Sequence, residues 1–354
     1  MIRMKYKNIT HDTPTYFIAD IAANHDGELN RAKDLIYKAK EAGADCAKFQ
    51  HFKAETIVSD KGFKALTNVQ THQSSWKESV DVIYDRYHTR SDWDEELIST
   101  CEDAQIEFMT TPYDLDAVKR YSKYTRGLKI GSGDITFEQL IRRVCETGQP
   151  VFLATGAASD NEVSRAVGIV QDYGNDLCLF QCNTNYTGDL ENFSYVNLNV
   201  LKEFRKSYPN AILGLSDHTP GHAAVLGAVT LGARVIEKHF TDDNSREGPD
   251  HKFALNPTGW SEMVNRTREL ELALGDGIKR IEKNEESTVI VQRRAIRAKI
   301  PLSKGAILKE DDVIFLRPCT SGGFTPFDLS KIAGRRLKQN VDKGEELREC
   351  HFVI

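Results

Sequence analysis

No stretch of this 354-residue chain approaches 18 uninterrupted apolar residues, and the N-terminal MIRMKYKNITHDTPTYF carries positive charge with no apolar run behind it. Both absences argue against a spanning helix or a secretory signal, and a cytoplasmic protein is expected. The seven cysteines are odd in number, scattered, and without a CxxC pair, which argues against a disulfide framework. Free thiols are expected, with Cys178 and Cys182 buried in one apolar run. An excess of positive charge is also missing: 47 basic against 52 acidic residues give a formal net charge of -5, so nothing draws the chain to nucleic acid or an anionic membrane. Any anionic partner must be met by a local cluster of cations, which points to a small ligand.

What the chain does have is a repeated alternation of β-rich runs with helical patterns. The runs are YFIADIA (16–22), CAKFQ (46–50), EFMTTP (107–112), LKIGSG (128–133), VFLATG (151–156), LCLFQCN (177–183), ILGLSDH (212–218) and VIEKHF (235–240). Eight such units in some 275 residues predict an α/β fold, a TIM (β/α)8 barrel, whose sites lie where the strands end. The ends are Asn24 and His25, Lys48 and Gln50, Thr110 and Thr111, Lys129 and Ser132, Thr155, then Asn183, Asn185 and Tyr186, then Ser216, Asp217 and His218, and finally His239. Polar groups crowd one rim. Beyond a charged stretch at 276–288 the pattern changes to short β-like runs and turns, predicting a second, small domain in which LSKGAILKEDDV and VDKGEELRECHF look like two copies of one unit.

The rim residues suggest chemistry. His218 and His239 end neighbouring strands and can face one mouth, where two imidazoles would hold a divalent transition metal and leave positions open for substrate oxygens. Lys48 and Lys129 sit in otherwise apolar strands, and a lysine inside a barrel needs an anion, here a phosphate and a carboxylate. Thr111, Ser132 and the GSG backbone can donate to phosphate oxygens, and the loop TDDNSREGPDHKF brings Arg246 and Asp250 toward the same mouth. A Schiff-base aldolase working through Lys48 or Lys129, and a non-catalytic sugar- or ice-binding module, are the readings from other classes.

In order, IAANHDG, AKFQ, KIGSGD, LGLSDHT, ARVIEKHFTDD and GPDHKF resemble the sialic acid (N-acetylneuraminate) synthase family, which includes legionaminic and pseudaminic acid synthases. The resemblance implies a catalytic barrel over 1–280 and an antifreeze-like (SAF, β-clip) capping domain over 281–354. It also implies condensation of phosphoenolpyruvate with an N-acetylated hexosamine, N-acetylmannosamine by default or a diacetamido hexose, giving a nine-carbon 2-keto acid and phosphate. By motif, His218 and His239 would hold the metal, Mn2+ first and Mg2+ or Co2+ as alternatives. Lys48, Thr111, Lys129, Ser132, Asn185 and Ser216 would surround phosphoenolpyruvate. Asp26, Asp134, Tyr186 and Asp250 would meet the sugar, with Asp26, Lys48, Lys129 and Asp250 as the catalytic set. Arg317 in FLRP would reach the sugar from the partner of a domain-swapped homodimer. Aspartates at 26 and 134, where the family often has glutamate, and CNTNYT at 182–187 in place of CTSxYP leave the sugar open.

Overall fold

The structure, a computed structural model, describes residues 1–66, 73, 76 and 78–353. Eight parallel strands close into a barrel: β1 (Tyr16–Asp20), β2 (Cys46–His51), β3 (Glu107–Pro112), β4 (Leu128–Ile130), β5 (Val151–Ala154), β6 (Leu177–Cys182), β7 (Ile212–Asp217) and β8 (Val235–His239). Closure comes from β8 on β1, with Val235 opposite Tyr16 and His239 opposite Asp20. The eight predicted runs are these strands, in the same order.

Side-chain alternation divides the apolar residues between two cores. On β1, Tyr16 and Ile18 point inward to a cluster with Met109, Phe152, Phe180 and Val235, while Phe17 and Ala19 point outward to the helices. Both faces are apolar because both are covered, so the strands read as continuous hydrophobic runs. Ile2, Met4 and Ile9, from an antiparallel pairing of Ile2–Arg3 with Asn8–Ile9, belong to the inner cluster and close its lower end. Gly214 on β7 fits where no side chain would, since a Cβ there would stand 2.6 Å from the Phe180 ring and 2.9 Å from the Val235 carbonyl oxygen. Helices are stopped locally: Asp160–Tyr173 begins in a Ser159/Glu162 capping box and ends at Gly174, whose φ of +75° suits glycine.

The chain divides between Gly275 and Asp276. The second unit holds a core of Ile296, Leu308, Val313, Ile332, Leu337 and Leu347, with β9 (Ala295–Ala298) antiparallel to β10 (Val313–Leu316). Its two similar sequence segments fold alike. Each has a glycine at φ +84°, Gly305 or Gly344, followed by a short 3-10 turn, Glu310–Asp312 or Glu349–His351, and Leu302 of the first bridges Val341 of the second. All seven cysteines are free thiols, and among the described residues no helix is long and apolar enough to cross a membrane.

Candidate active site at the C-terminal barrel mouth

The inward positions at the upper ends of β1, β2, β4 and β8 carry charge in place of hydrocarbon. Lys48 Nζ donates to Asp20 Oδ2 at 2.7 Å and to Thr111 Oγ1 at 3.1 Å, and lies 3.8 Å from Glu237 Oε1. Lys129 Nζ donates to Glu237 Oε1 at 2.7 Å. All four charged groups are buried. The lysines therefore have protein carboxylates beside them, Asp20 and Glu237, neither of which the sequence reading assigned to the site. Two ammonium and two carboxylate groups make the floor formally neutral, and Glu237 Oε2 is buried with no hydrogen-bond partner. Burial pulls the Lys48 pKa down, but Asp20 and Glu237 more than offset it and hold the ammonium above its ordinary value.

Above this floor stand the two histidines, their ring centroids 5.5 Å apart. The His218 Nδ1 position faces the Asn183 carbonyl at 2.9 Å. As an N–H donor there, it leaves the Nε2 lone pair available to a cation. His239 Nδ1 is buried without a hydrogen-bond partner, 3.8 Å from Asp250 Oδ2, and His239 Nε2 is 3.7 Å from Asp20 Oδ2. These nitrogens fit a divalent cation. Among the described residues no group of three or more His, Cys, Asp or Glu is assembled for one. The two imidazoles differ electrically. Burial drops His239 to about 3, whereas for His218 burial is outweighed by the Cys182 thiol and the Asn183 carbonyl, which raise it. Cys182 is buried as expected, and its contact with His218 is a second feature the sequence did not disclose.

The other predicted residues fall into two groups. Thr111 belongs to the floor, and Ser216 Oγ is 3.4 Å from Glu237 Oε1. Ser132 Oγ accepts from Gly156 N at 3.0 Å, and a Cβ on Gly156 would lie 2.8 Å from that oxygen and 1.8 Å from Thr184 Oγ1, so β4, β5 and β6 meet here only around glycine. Tyr186 packs edge-on against His218 at 4.7 Å between centroids, and Asn185 lies in the same loop, its side-chain oxygen accepting from Thr187 N. Asp250 Oδ2 accepts from Ala23 N at 3.2 Å beside His239. Asp134 Oδ2 is buried with no hydrogen-bond partner, and burial pushes the carboxyl up to about 6.

Asp26 is differently placed. At φ +55° it directs its carboxylate to Arg246 at 2.7 Å, His251 at 2.8 Å and Arg31 at 3.0 Å. Burial works against the charge, but the hydrogen bonds from His251 and Arg246, with the Arg31 guanidinium nearby, hold its pKa below the ordinary value. Arg246 is thereby engaged with Asp26. Asn24, Thr110, Thr155 and Asp217, counted at the rim from sequence, are tied to backbone or outer-face partners instead: Asn24 to the Phe240 carbonyl, Thr110 to His51, Thr155 to the Phe180 carbonyl, and Asp217 to Lys238 at 2.6 Å. Position parity explains Asp217 and Lys238, since they alternate with the inward Ser216, Glu237 and His239. Arg317 is exposed just after β10 in the second unit.

Family models match both units of the chain. The model of the NeuB family matches residues 35–279, and that of the SAF domain matches residues 293–353. The chain is 33% identical to N,N'-diacetyllegionaminic acid synthase of Campylobacter jejuni, over 95% of this chain and 99% of that protein. It is 30% identical to N-acetylneuraminate-9-phosphate synthase of Homo sapiens, over 95% and 92% respectively. The crystal structure of N-acetylneuraminic acid synthetase from Leptospira borgpetersenii, in complex with citrate, superposes with a TM-score of 0.68 at 26% identity, covering 78% of this chain and 91% of that one.

Proposed function

The chain belongs to the NeuB family, and on that premise we propose that it joins phosphoenolpyruvate to the open-chain aldehyde of an N-acetylated hexosamine, giving a sialic-acid-like 2-keto acid and phosphate. The observation that carries the reading is the pair His218 and His239 standing over two buried lysines at the barrel mouth. N-acetylmannosamine is the default sugar, with the diacetamido hexoses leading to legionaminic or pseudaminic acid equally supported by the relatives.

Lys48 and Lys129 bind the anionic enol phosphate, with Thr111, Ser132, Asn185 and Ser216 as neutral donors to its oxygens. His218 and His239 would hold Mn2+, or Mg2+ or Co2+, and when bound that ion supplies Lewis-acid polarisation of the aldehyde oxygen. The C2=C3 π pair of phosphoenolpyruvate then forms the new bond from carbon 3 to the aldehyde carbon, water adds at carbon 2 while one of its protons goes to the former aldehyde oxygen, and the C–O bond to phosphate breaks as the second proton leaves and the 2-keto group forms. Tyr186 and Asp250 orient the sugar beside His239. Asp134 Oδ2, on a carboxyl pushed up to about 6, can hold or release a proton near neutral pH, whereas Asp26 is held by Arg31, Arg246 and His251 and positions the loop of Arg246 and His251. Arg317 of a partner chain would meet the acetamido oxygen in a cytoplasmic, domain-swapped homodimer. The raised pKa of Lys48 disfavours the neutral amine that a Schiff base at that residue requires.

The test is incubation with phosphoenolpyruvate, Mn2+ and either N-acetylmannosamine or a diacetamido hexose. Release of phosphate with formation of a 2-keto acid is expected, and no product with any of these sugars would refute the proposal.

A further inference from the structure

Two loops of the barrel mouth are tied together through one aspartate. Asp26, in the loop after β1, accepts from Arg246 Nε at 2.7 Å and from His251 Nε2 at 2.8 Å, both in the loop after β8. The His251 ring is fully buried, and its Nδ1 meets Thr241 Oγ1 at 2.7 Å, so one imidazole joins the start of the β8 loop to the β1 loop. The backbone of the same turn is held as well: Asn244 Nδ2 donates to the carbonyls of His251 at 2.8 Å and Ala254 at 2.7 Å. Gly248 is the position that lets the ring in. A Cβ there would stand 2.6 Å from His251 Cδ2 and 3.0 Å from Nε2.

Asp250 directly precedes His251 in the chain. Its Oδ2 accepts from Ala23 N at 3.2 Å and lies 3.8 Å from His239 Nδ1, so it stands where the two loops meet the imidazole pair. A buried ring with both nitrogens engaged fixes the backbone that carries it, and the side chain next to it in the chain inherits that placement. Resting on the synthase reading above, in which Asp250 orients the sugar, we infer that His251 is a positioning residue for the sugar half of the reaction. Its bridge from Thr241 to Asp26 holds Asp250 against the Ala23 amide and beside His239. The phosphoenolpyruvate half does not depend on the bridge, because Lys48 and Lys129 take their partners from Asp20, Thr111 and Glu237. A sugar contact displaced by about 1 Å can cost up to about a hundredfold in rate.

The test compares His251→Leu, which keeps the bulk of the side chain and removes both hydrogen bonds, with His251→Gln, whose amide N–H can still reach Asp26. Each is assayed with phosphoenolpyruvate, Mn2+ and whichever of N-acetylmannosamine and the diacetamido hexoses the parent protein uses best. His251→Leu should raise the sugar KM about tenfold or more while the phosphoenolpyruvate KM stays within about twofold, and His251→Gln should recover most of the loss. Gly248→Ala should show the same one-sided loss through its clash with the ring. An unchanged sugar KM in His251→Leu, an equal loss for both substrates, or a glutamine variant no better than the leucine one overturns the inference and leaves the synthase reading intact. Hydrogen–deuterium exchange reads the same claim without turnover. The Ala23 amide should exchange at least about tenfold faster in His251→Leu, as in Asp250→Ala, with the amides of β3 to β6 unchanged, which also shows that the variant is folded. Should His251→Leu not fold, Gly248→Ala carries both measurements. Protection at Ala23 equal to that of the parent refutes the bridge whatever the activity. No turnover by the parent with any sugar sinks the synthase reading alone, and the exchange result then decides the placement of Asp250 by itself.

Discussion

Replacing Glu237 by glutamine removes one of the two carboxylates that face the buried lysines and changes almost nothing in shape. Glu237 lies 2.7 Å from Lys129 and 3.8 Å from Lys48, with all three side chains at most 7% exposed. Removing one partner of a buried pair costs about 3–5 kcal/mol, because it leaves a charge without compensation. The amide oxygen can still accept a hydrogen bond, so the lower end, about 3 kcal/mol, is expected. For a unit of this size each kcal/mol moves Tm by about 2–4 °C, so Glu237→Gln should melt roughly 6–12 °C below the parent protein. The floor also changes from formally neutral to a net charge of +1. Inorganic phosphate or phosphoenolpyruvate, titrated in differential scanning fluorimetry, should therefore raise Tm more in the variant than in the parent. A variant that melts within about 2 °C of the parent, or gains no more from phosphate, would refute the claim that Glu237 is the counter-ion of this floor.

His218→Ala and His239→Ala should each abolish most phosphoenolpyruvate-dependent activity and weaken Mn2+ binding by calorimetry, and full activity with unchanged Mn2+ affinity in both would return the pair to a packing role. For Asp134, whose folded pKa of about 6 lies above its ordinary value, charge on the folded protein is what costs stability, so the cost is absent below about pH 4 and complete above about pH 6. Asp134→Asn should accordingly raise Tm above about pH 6 and lose that advantage near pH 4, and a Tm difference that stays flat across this range contradicts the assignment. If Arg317 completes the site of a partner chain, mixing Arg317→Ala protomers with Lys129→Ala protomers should restore activity, since one of the two sites in the heterodimer is intact. Inactivity despite proven subunit exchange would exclude sharing of the site between chains.

Much of the barrel is legible in the sequence. Both faces of each strand are covered, so the apolar runs at 16–22, 151–156 and 212–218 stand out, and glycines such as Gly174 mark helix ends by a backbone requirement that sequence displays directly. The imidazole pair was legible for the same reason: His218 and His239 occupy the ends of adjacent strands, and strand order in a (β/α)8 repeat follows chain order. Lys48 and Lys129 stood out as charges in apolar surroundings.

Tertiary structure decided the rest. Asp20 and Glu237 looked like ordinary strand residues, and only closure of β8 on β1 sets Asp20 among Lys48, Gln50 and His239 while Glu237 reaches Lys129 on β4. Asp26 is a second case. Its motif marks it as a catalytic and sugar-binding candidate, and only the fold shows that Arg31, Arg246 and His251 converge on it from positions up to 225 residues away. The contacts of Phe52 with Tyr84 and Tyr113 are likewise a product of packing, since the three rings are separated in sequence. Periodicity and residue type are local quantities, so the sequence by itself determined the strands, their order and the histidine pair. The partner of a buried charge depends on barrel closure and on which way each side chain points, and those are fixed only when distant segments come into contact.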